Sequence, residues 1–210
     1  MRPSTRTRRD VRHPDTTATR DLLAAARRDP AGGWGPILDR AESRLRILLH
    51  FRMPAALRAT CEPDDLLQDT WLEASRLIDR FEYRGPGSLQ RWLAGILENK
   101  LLHAERSSAR IPRTDKDVGP AAAGASRLAA IFRTRASASR EARRREREDL
   151  VRSVIESLPE ELRRAVLLRV YEGLSGREAA RVEGVDESTM SGRLRRALGA
   201  CAFRLRGVSP

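Results

Sequence analysis

Ser188, Thr189, Ser191, Arg193, Arg195 and Arg196 crowd one stretch near the C-terminus, "DESTMSGRLRR", with Gly192 among them. Hydroxyls bond base edges or phosphates, and guanidiniums grip phosphates or pair with guanine. The chemistry on offer is recognition of a polyanion rather than bond making. No other part of the chain offers catalysis. His13, His50 and His103 are scattered; no Walker loop, no metal-ligand spacing and no nucleophile with a positioned base occurs. The chain is read as a non-enzyme that needs no cofactor and no metal. Cys61 and Cys201 belong to no CxxC or Cys/His cluster, which speaks against a disulfide framework and fits a reducing cytoplasm.

Those side chains need a helix that turns them outward. Met190, Leu194, Ala197, Leu198, Cys201 and Leu205 follow one another at spacings of 4, 3, 1, 3 and 4, which predicts an apolar helical face opposite the arginines. Asp186 is placed to cap that helix, and Gly184 with Val185 predicts a tight turn before it. Upstream, Ser175 and Glu178 have the spacing of a capping box. They open a short helix, about Gly176 to Glu183, whose small Ala179 and Ala180 let a neighbouring helix come close. Pro159 opens an earlier helix with Glu160 and Glu161 in its first turn, where carboxylates complement the helix dipole. Leu162, Val166 and Val170 form its stripe, and Gly173 stops it. Short helix, glycine turn, longer helix is the helix-turn-helix pattern, whose second helix enters the DNA major groove. The plainer reading is a surface helix with a solvated basic face; capping box, turn and small residues together favour DNA. Alone, the motif says only that the chain binds DNA.

The rest of the chain bounds the fold. Of 210 residues, 40% are hydrophobic, 33% charged and 4% aromatic, which suits small helical domains better than one large core. The formal net charge of +12 favours a polyanionic partner. Helical periodicity fills two blocks and no strand alternation appears, so the expected fold is all-α: two small helical domains joined by a flexible linker. Residues 1–18 read as a disordered basic arm, 19–109 as the first domain, 110–147 as the linker and 148–207 as the second domain. Pro112, Gly119, Pro120 and Gly124 give the linker its character, while 140–148 mix Arg and Glu at helical spacing and can extend the next helix. No apolar run approaches the roughly 18 to 20 residues of a membrane span. The basic N-terminus lacks the apolar core of a secretory signal.

The stretch "SLPEELRRAVLLRVYEGLSGREAARVEGVDESTMSGRLRRAL" resembles region 4 of bacterial RNA polymerase sigma factors of the extracytoplasmic-function (ECF) type, within the sigma-70 family. The likeness extends through the lead-in "LPEELRRAVLLRVYEGLS", which generic repressor motifs lack. It implies that 148–207 bind the −35 promoter element through Ser188, Thr189, Ser191, Gly192, Arg193, Arg195 and Arg196. Two positions depart from the family pattern: region 4 usually carries Lys where this chain has Ser191, and Ser where it has Gly192.

"EPDDLLQDTWLEASRLIDRF" is similar to the region 2 helix that docks on core polymerase. Leu67, Trp71, Ala74 and Ile78 form its expected buried stripe, leaving Asp65, Gln68, Asp69 and Glu73 exposed. An acidic face in so basic a chain repels DNA and suits a basic protein partner. The resemblance implies that Gln68 and Asp69 contact the clamp helices of the β′ subunit, with the β flap as a further polymerase contact. "RFEYRGPGSLQRWLAGILENKLLHAERSSAR" resembles the loop and helix that melt and read the −10 element. Melting needs a place to hold an unstacked base, which aromatics and arginines around a glycine loop supply. Phe81, Tyr83 and Arg84 are the candidates for stacking and phosphate contact. Arg91, Asn99, Lys100, His103 and Arg106 are candidate strand contacts, and Trp92 is assigned to the core. His103 and Glu105 stand where the family usually has an Asp and more Arg.

The expected function is therefore a sigma factor acting in the cytoplasm at the nucleoid. Its expected partners are core RNA polymerase, promoter DNA and an anti-sigma factor; no membrane insertion and no small-molecule substrate are expected. The alternative is a stand-alone helix-turn-helix regulator with an N-terminal helical dimerisation or sensing domain. A third class is an adaptor that mimics a sigma factor without initiating transcription.

Overall fold

The computed structural model describes residues 15–29, 33–109 and 138–206. Every regular element among them is a helix, as the periodicity predicts. In chain order these are α1 (Asp15–Arg28), α2 (Gly35–Arg52), α3 (Ala55–Arg58), α4 (Pro63–Leu77), α5 (Ser88–Ala109), α6 (Ala138–Glu156), α7 (Glu160–Val166), α8 (Gly176–Glu183) and α9 (Glu187–Arg206). The basic arm expected at 1–18 falls outside the described residues up to position 14, and α1 begins at Asp15. The linker expected at 110–147 falls outside them up to 137. From Ala138 it is helical, so its last part belongs to α6, as the Arg/Glu spacing allows.

The first unit, α1 to α5, forms around α2. Pro36 sits in the first turn of α2, where a missing amide hydrogen costs nothing, and Ile37, Leu38, Ala41, Leu45, Leu48 and Leu49 are all buried. Helix α4 opens on Pro63 with Asp64 and Asp65 in its first turn. Its expected stripe of Leu67, Trp71, Ala74 and Ile78 is buried against α2 and α5. Thr70 shares that stripe because its hydroxyl donates back to the Leu66 carbonyl, 2.7 Å away, so no polar group is left unpaired. Helix α5 buries Leu89, Leu93, Ile96, Leu97 and Leu101, a face of 4, 3, 1 and 4 spacing. Each such aliphatic side chain withdrawn from water contributes roughly 1.5–3 kcal/mol before entropy is counted.

The second unit, α6 to α9, packs directly on the first. Ile155, Leu158, Leu162, Val166, Leu167, Tyr171 and Ala197 join the same apolar cluster as α1 to α5. A smaller cluster of Ala165, Leu168, Ala179, Ala180 and Met190 belongs to the second unit alone. Polar pairs cross the seam: Ser43 Oγ donates to Glu148 at 2.6 Å, Arg144 meets Glu42 at 3.0 Å, and His50 meets Glu156 at 2.7 Å. The residues expected to form two separate small cores thus contribute to one shared apolar cluster.

Candidate nucleic-acid interface

Helix α7 ends in an unusual way. After Val166 the chain widens into a π-helical turn, Leu167–Tyr171, closed by the Glu172 amide donating to Leu167 O at 2.9 Å. Gly173 then reverses the chain at a φ of 73°. Ser175 caps α8 as the spacing predicts: the Glu178 amide donates to Ser175 Oγ at 3.2 Å, and the Ser175 amide donates to Glu178 Oε2 at 2.8 Å. Hydrogen bonding to Ser175 holds the Glu178 carboxyl below its usual range, with Arg91 and Arg181 adding to the effect. Ala179 and Ala180 lie buried, and that smallness lets α9 cross closely over α8, with Met190 fully buried beneath. Gly184 makes the turn at a φ of 66°, and the Val185 amide closes it onto Ala180 O at 3.0 Å.

Asp186 then caps α9, accepting from the Thr189 amide at 2.8 Å. Its carboxylate also takes the hydroxyl protons of Ser188 and Thr189, the latter at 2.6 Å. Those two hydroxyl bonds pull the Asp186 carboxyl far below the usual carboxylate range. Sequence spacing offers these hydroxyls to DNA; here their protons serve the cap, and their oxygens remain as acceptors. Ser191, Arg195 and Arg196 are exposed. Gly192 is half-buried, yet a side-chain carbon added there would meet nothing within 4 Å. Arg193 turns back instead, 3.7 Å from Glu183, which also receives Arg164 at 2.7 Å. The expected apolar face holds at Met190 and Ala197, with Leu194, Cys201 and Leu205 half-buried. Leu198 departs from it: at 47% exposed it lies at the edge of the stripe, where no helix among the described residues covers it.

The candidate −10 residues divide. Phe81 is only 6% exposed, its ring 4.8 Å from that of Trp92, so most of it is packed in the core. Tyr83 is half-buried under the Arg20 guanidinium, 5.3 Å from the ring centroid, and its hydroxyl finds no partner among the described residues. Tyr83 and Phe81 border a cleft of about 440 Å³ with Arg20, Arg27 and Glu82. Arg84 is exposed and meets Glu82 at 3.0 Å. Asn99, His103 and Arg106 are exposed along α5. Lys100 meets Glu73 at 3.4 Å. That pair joins a residue expected at DNA to one expected at a protein partner, which removes Glu73 from the open acidic face. Asp65 and Asp69 are exposed and Gln68 half-buried on α4, so those three form the face that remains. Arg91 reaches across the seam to Glu178 at 2.9 Å.

Comparison with known proteins bears on the C-terminal unit. Residues 148–201 match the family model for sigma-70, region 4. The C-terminal unit is therefore similar to sigma-70, region 4. Three solved structures show a distant similarity. One, CnrH in complex with the cytosolic domain of CnrY, is 24% identical over 91% of this chain and 99% of its own, with a TM-score of 0.42. Another, the sigma factor RpoE in complex with the anti-sigma factor NepR from Bartonella quintana, is 21% identical over 84% and 98%, with a TM-score of 0.39. The RsbN–BldN complex matches at 20% identity over 88% and 96%, with a TM-score of 0.29. Scores of this size leave whole-chain superpositions loose. No curated protein sequence gives a significant match. No helix among the described residues is long and apolar enough to cross a membrane.

Spacing did not single out several residues that hold the seam or the loop before α5. Gln90 is 7% exposed and donates from Nε2 to Tyr171 O at 2.7 Å. Arg52 pairs with Glu172, and Arg27 anchors the loop before α5 through Ile78 O at 3.2 Å. An amide inside an otherwise apolar helical stripe, as at Gln90 between Leu89 and Leu93, is the one sequence signal that pointed there.

Proposed function

We propose that the chain is a sigma factor of the ECF kind: it binds core RNA polymerase in the cytoplasm, carries it to a promoter and opens the DNA. The observation that carries this is the region 4 match over residues 148–201, on a helix-turn-helix with an exposed Ser191, Arg195 and Arg196. In this reading α9 lies in the −35 major groove. Arg195 and Arg196 grip phosphate or guanine, the capped end at Ser188 and Thr189 approaches base edges, and Gly192 permits close backbone approach. Arg193 positions the helix through Glu183. Asp65, Gln68 and Asp69 on α4 meet a basic surface of the polymerase. Tyr83, Arg84, Arg91, Asn99, His103 and Arg106 serve the −10 strand, with Tyr83 and the cleft beside it the place for an unstacked base. Site residues on Arg side chains imply affinity that falls steeply with salt.

The test is reconstitution with core polymerase from the same source. The intact chain co-purifies with core and directs promoter-dependent transcripts. Gln68→Ala with Asp69→Ala lowers core affinity about tenfold while thermal stability is kept, because both side chains lie outside the buried stripe. A chain that binds duplex DNA well and never associates with core is a stand-alone regulator; core binding without transcripts makes it an adaptor.

A further inference from the structure

Glu183 is the last residue of α8, and its side chain is only 7% exposed. That is an unfavourable place for a carboxylate. The C-terminal end of a helix is the negative end of its dipole, and a charge withdrawn from water needs partners. Two arginines from the neighbouring helices supply them. Arg164 of α7 donates from Nε to Glu183 Oε1 at 2.7 Å, with Nη2 of the same guanidinium also 2.7 Å from that oxygen. The hydrogen bond to Glu183 raises the Arg164 guanidinium above its ordinary value. Arg193 of α9 brings Nη1 to 3.7 Å from Oε2, an ion contact rather than a hydrogen bond. One carboxylate oxygen thus faces each neighbour, and α7, α8 and α9 meet at one charge. The apolar cluster under the same helices is Ala165, Leu168, Ala179, Ala180 and Met190. Alanine surfaces offer shallow ridges and restrict the roll of a helix weakly, whereas a carboxylate held between two guanidiniums restricts it strongly.

Thr189, Arg193 and Arg196 follow one another at i, i+4 and i+7, a single stripe along α9. The two outer members are exposed, whereas the Arg193 side chain is 21% exposed and turned toward Glu183. We propose that Glu183, with Arg164 and Arg193, is a positioning cluster for base reading: it holds the middle of the stripe inward and fixes the roll of α9, so that Thr189 and Arg196 face the groove on either side. The inference rests on the −35 reading of α9 and deepens it. Glu183 and Arg164 become determinants of sequence preference without touching DNA, and Arg193 leaves the set of phosphate contacts. Base-edge hydrogen bonds demand a geometry that phosphate contacts do not. Loss of the roll therefore costs sequence discrimination before it costs affinity.

The test uses the full chain reconstituted with core polymerase and duplex DNA randomised over the −35 positions. The duplex that the unaltered chain enriches is compared with random duplex. Glu183→Gln keeps an acceptor for Arg164 and removes the charge; Arg193→Met keeps the half-buried stem and removes the guanidinium. Each is expected to lower the preference for the enriched duplex over random duplex about tenfold, the value of roughly one mismatched base pair, and the double variant no further. Arg164→Met, at a side chain 51% exposed, approaches the same cluster from α7 and lowers the preference likewise. Arg193→Met leaves the salt dependence of log K unchanged, whereas Arg196→Met makes it shallower by about 0.9, the value of one phosphate contact. Circular dichroism confirms that each variant is folded. A merely structural loss weakens both duplexes alike and leaves their ratio unmoved; that result overturns the proposal. Losses that add in the double variant overturn it too, because the two residues then act apart. So does a shallower salt dependence in Arg193→Met, because that guanidinium then meets phosphate. Failure of the −35 reading shows separately, in the unaltered chain, as no enriched duplex, and both readings then fall together.

Discussion

Tyr171 does two things at one position: its carbonyl receives Gln90 across the seam, and its phenol is buried in the shared core. Burial pushes the phenol up to about 12 from its usual 10, with Arg44 opposing weakly and Cys201 adding. A folded value above the unfolded one means stability that is fully present below pH 10 and lost as pH rises toward 12. Two units correspond to roughly 2–3 kcal/mol. Of the two tyrosines, replacing Tyr83 by Phe leaves Tyr171 as the only phenol. The phenolate absorbance of Tyr83→Phe then rises with a midpoint near 12, accompanied by loss of helix signal; a midpoint near 10 without unfolding contradicts the burial. At this scale the sequence was legible where one residue had one use. Asp186 reads as a cap and is one. Ser188 and Thr189 read as DNA contacts, but a hydroxyl that suits a phosphate suits a neighbouring carboxylate equally, so spacing alone could not assign their protons. Phe81 misled for the same kind of reason: an aromatic beside a glycine loop fits a base or a core, and only the Trp92 ring across from it decides.

Among the elements, α9 carries an internal contradiction. A glycine at 192 in the interior of a 20-residue helix costs about 1 kcal/mol relative to alanine. An added methyl there meets nothing within 4 Å. Gly192→Ala therefore stabilises the chain by about 1 kcal/mol, a rise of roughly 2–4 °C in Tm for a protein of this size. If the same variant weakens −35-dependent transcription, the glycine is kept for approach to DNA and not for folding; a fall in Tm contradicts the open surroundings. Helices α4, α5, α8 and α9 were legible from 3.6-residue periodicity and caps because their signals are local. The π turn after α7 was not, since it has no residue signature and arises from how Leu167 and Tyr171 fit against α2 and α5. Leu198 was assigned inward because it follows Ala197 in an apolar pair, but α9 turns Ala197 to the core and leaves Leu198 at the edge of that face, 47% exposed.

At the scale of the whole molecule, the order of the two units was legible and their contact was not. Ser43 and Glu148, or Gln90 and Tyr171, are too far apart in sequence for any periodicity to link them. The consequence is thermodynamic. The cluster that the C-terminal unit owns is built of Ala165, Leu168, Ala179, Ala180 and Met190, three of them alanines, which is a small core for an independent domain. Its larger apolar residues, among them Ile155, Leu162, Leu167 and Tyr171, belong to the cluster shared with α1 to α5, and Leu167 and Tyr171 sit on the π turn that packs on α2 and α5. The two units should therefore melt together. All three tryptophans, Trp34, Trp71 and Trp92, lie in the first unit, so fluorescence follows that unit alone while far-ultraviolet circular dichroism follows both. The two signals are expected to give coincident midpoints in thermal and urea unfolding of the intact chain. Leu167→Ala thins the seam and costs about 2–5 kcal/mol; as the units uncouple, the dichroism transition broadens toward lower temperature ahead of the fluorescence. Separate midpoints in the unaltered chain contradict the shared core and mean that the C-terminal unit stands on its own few alanines.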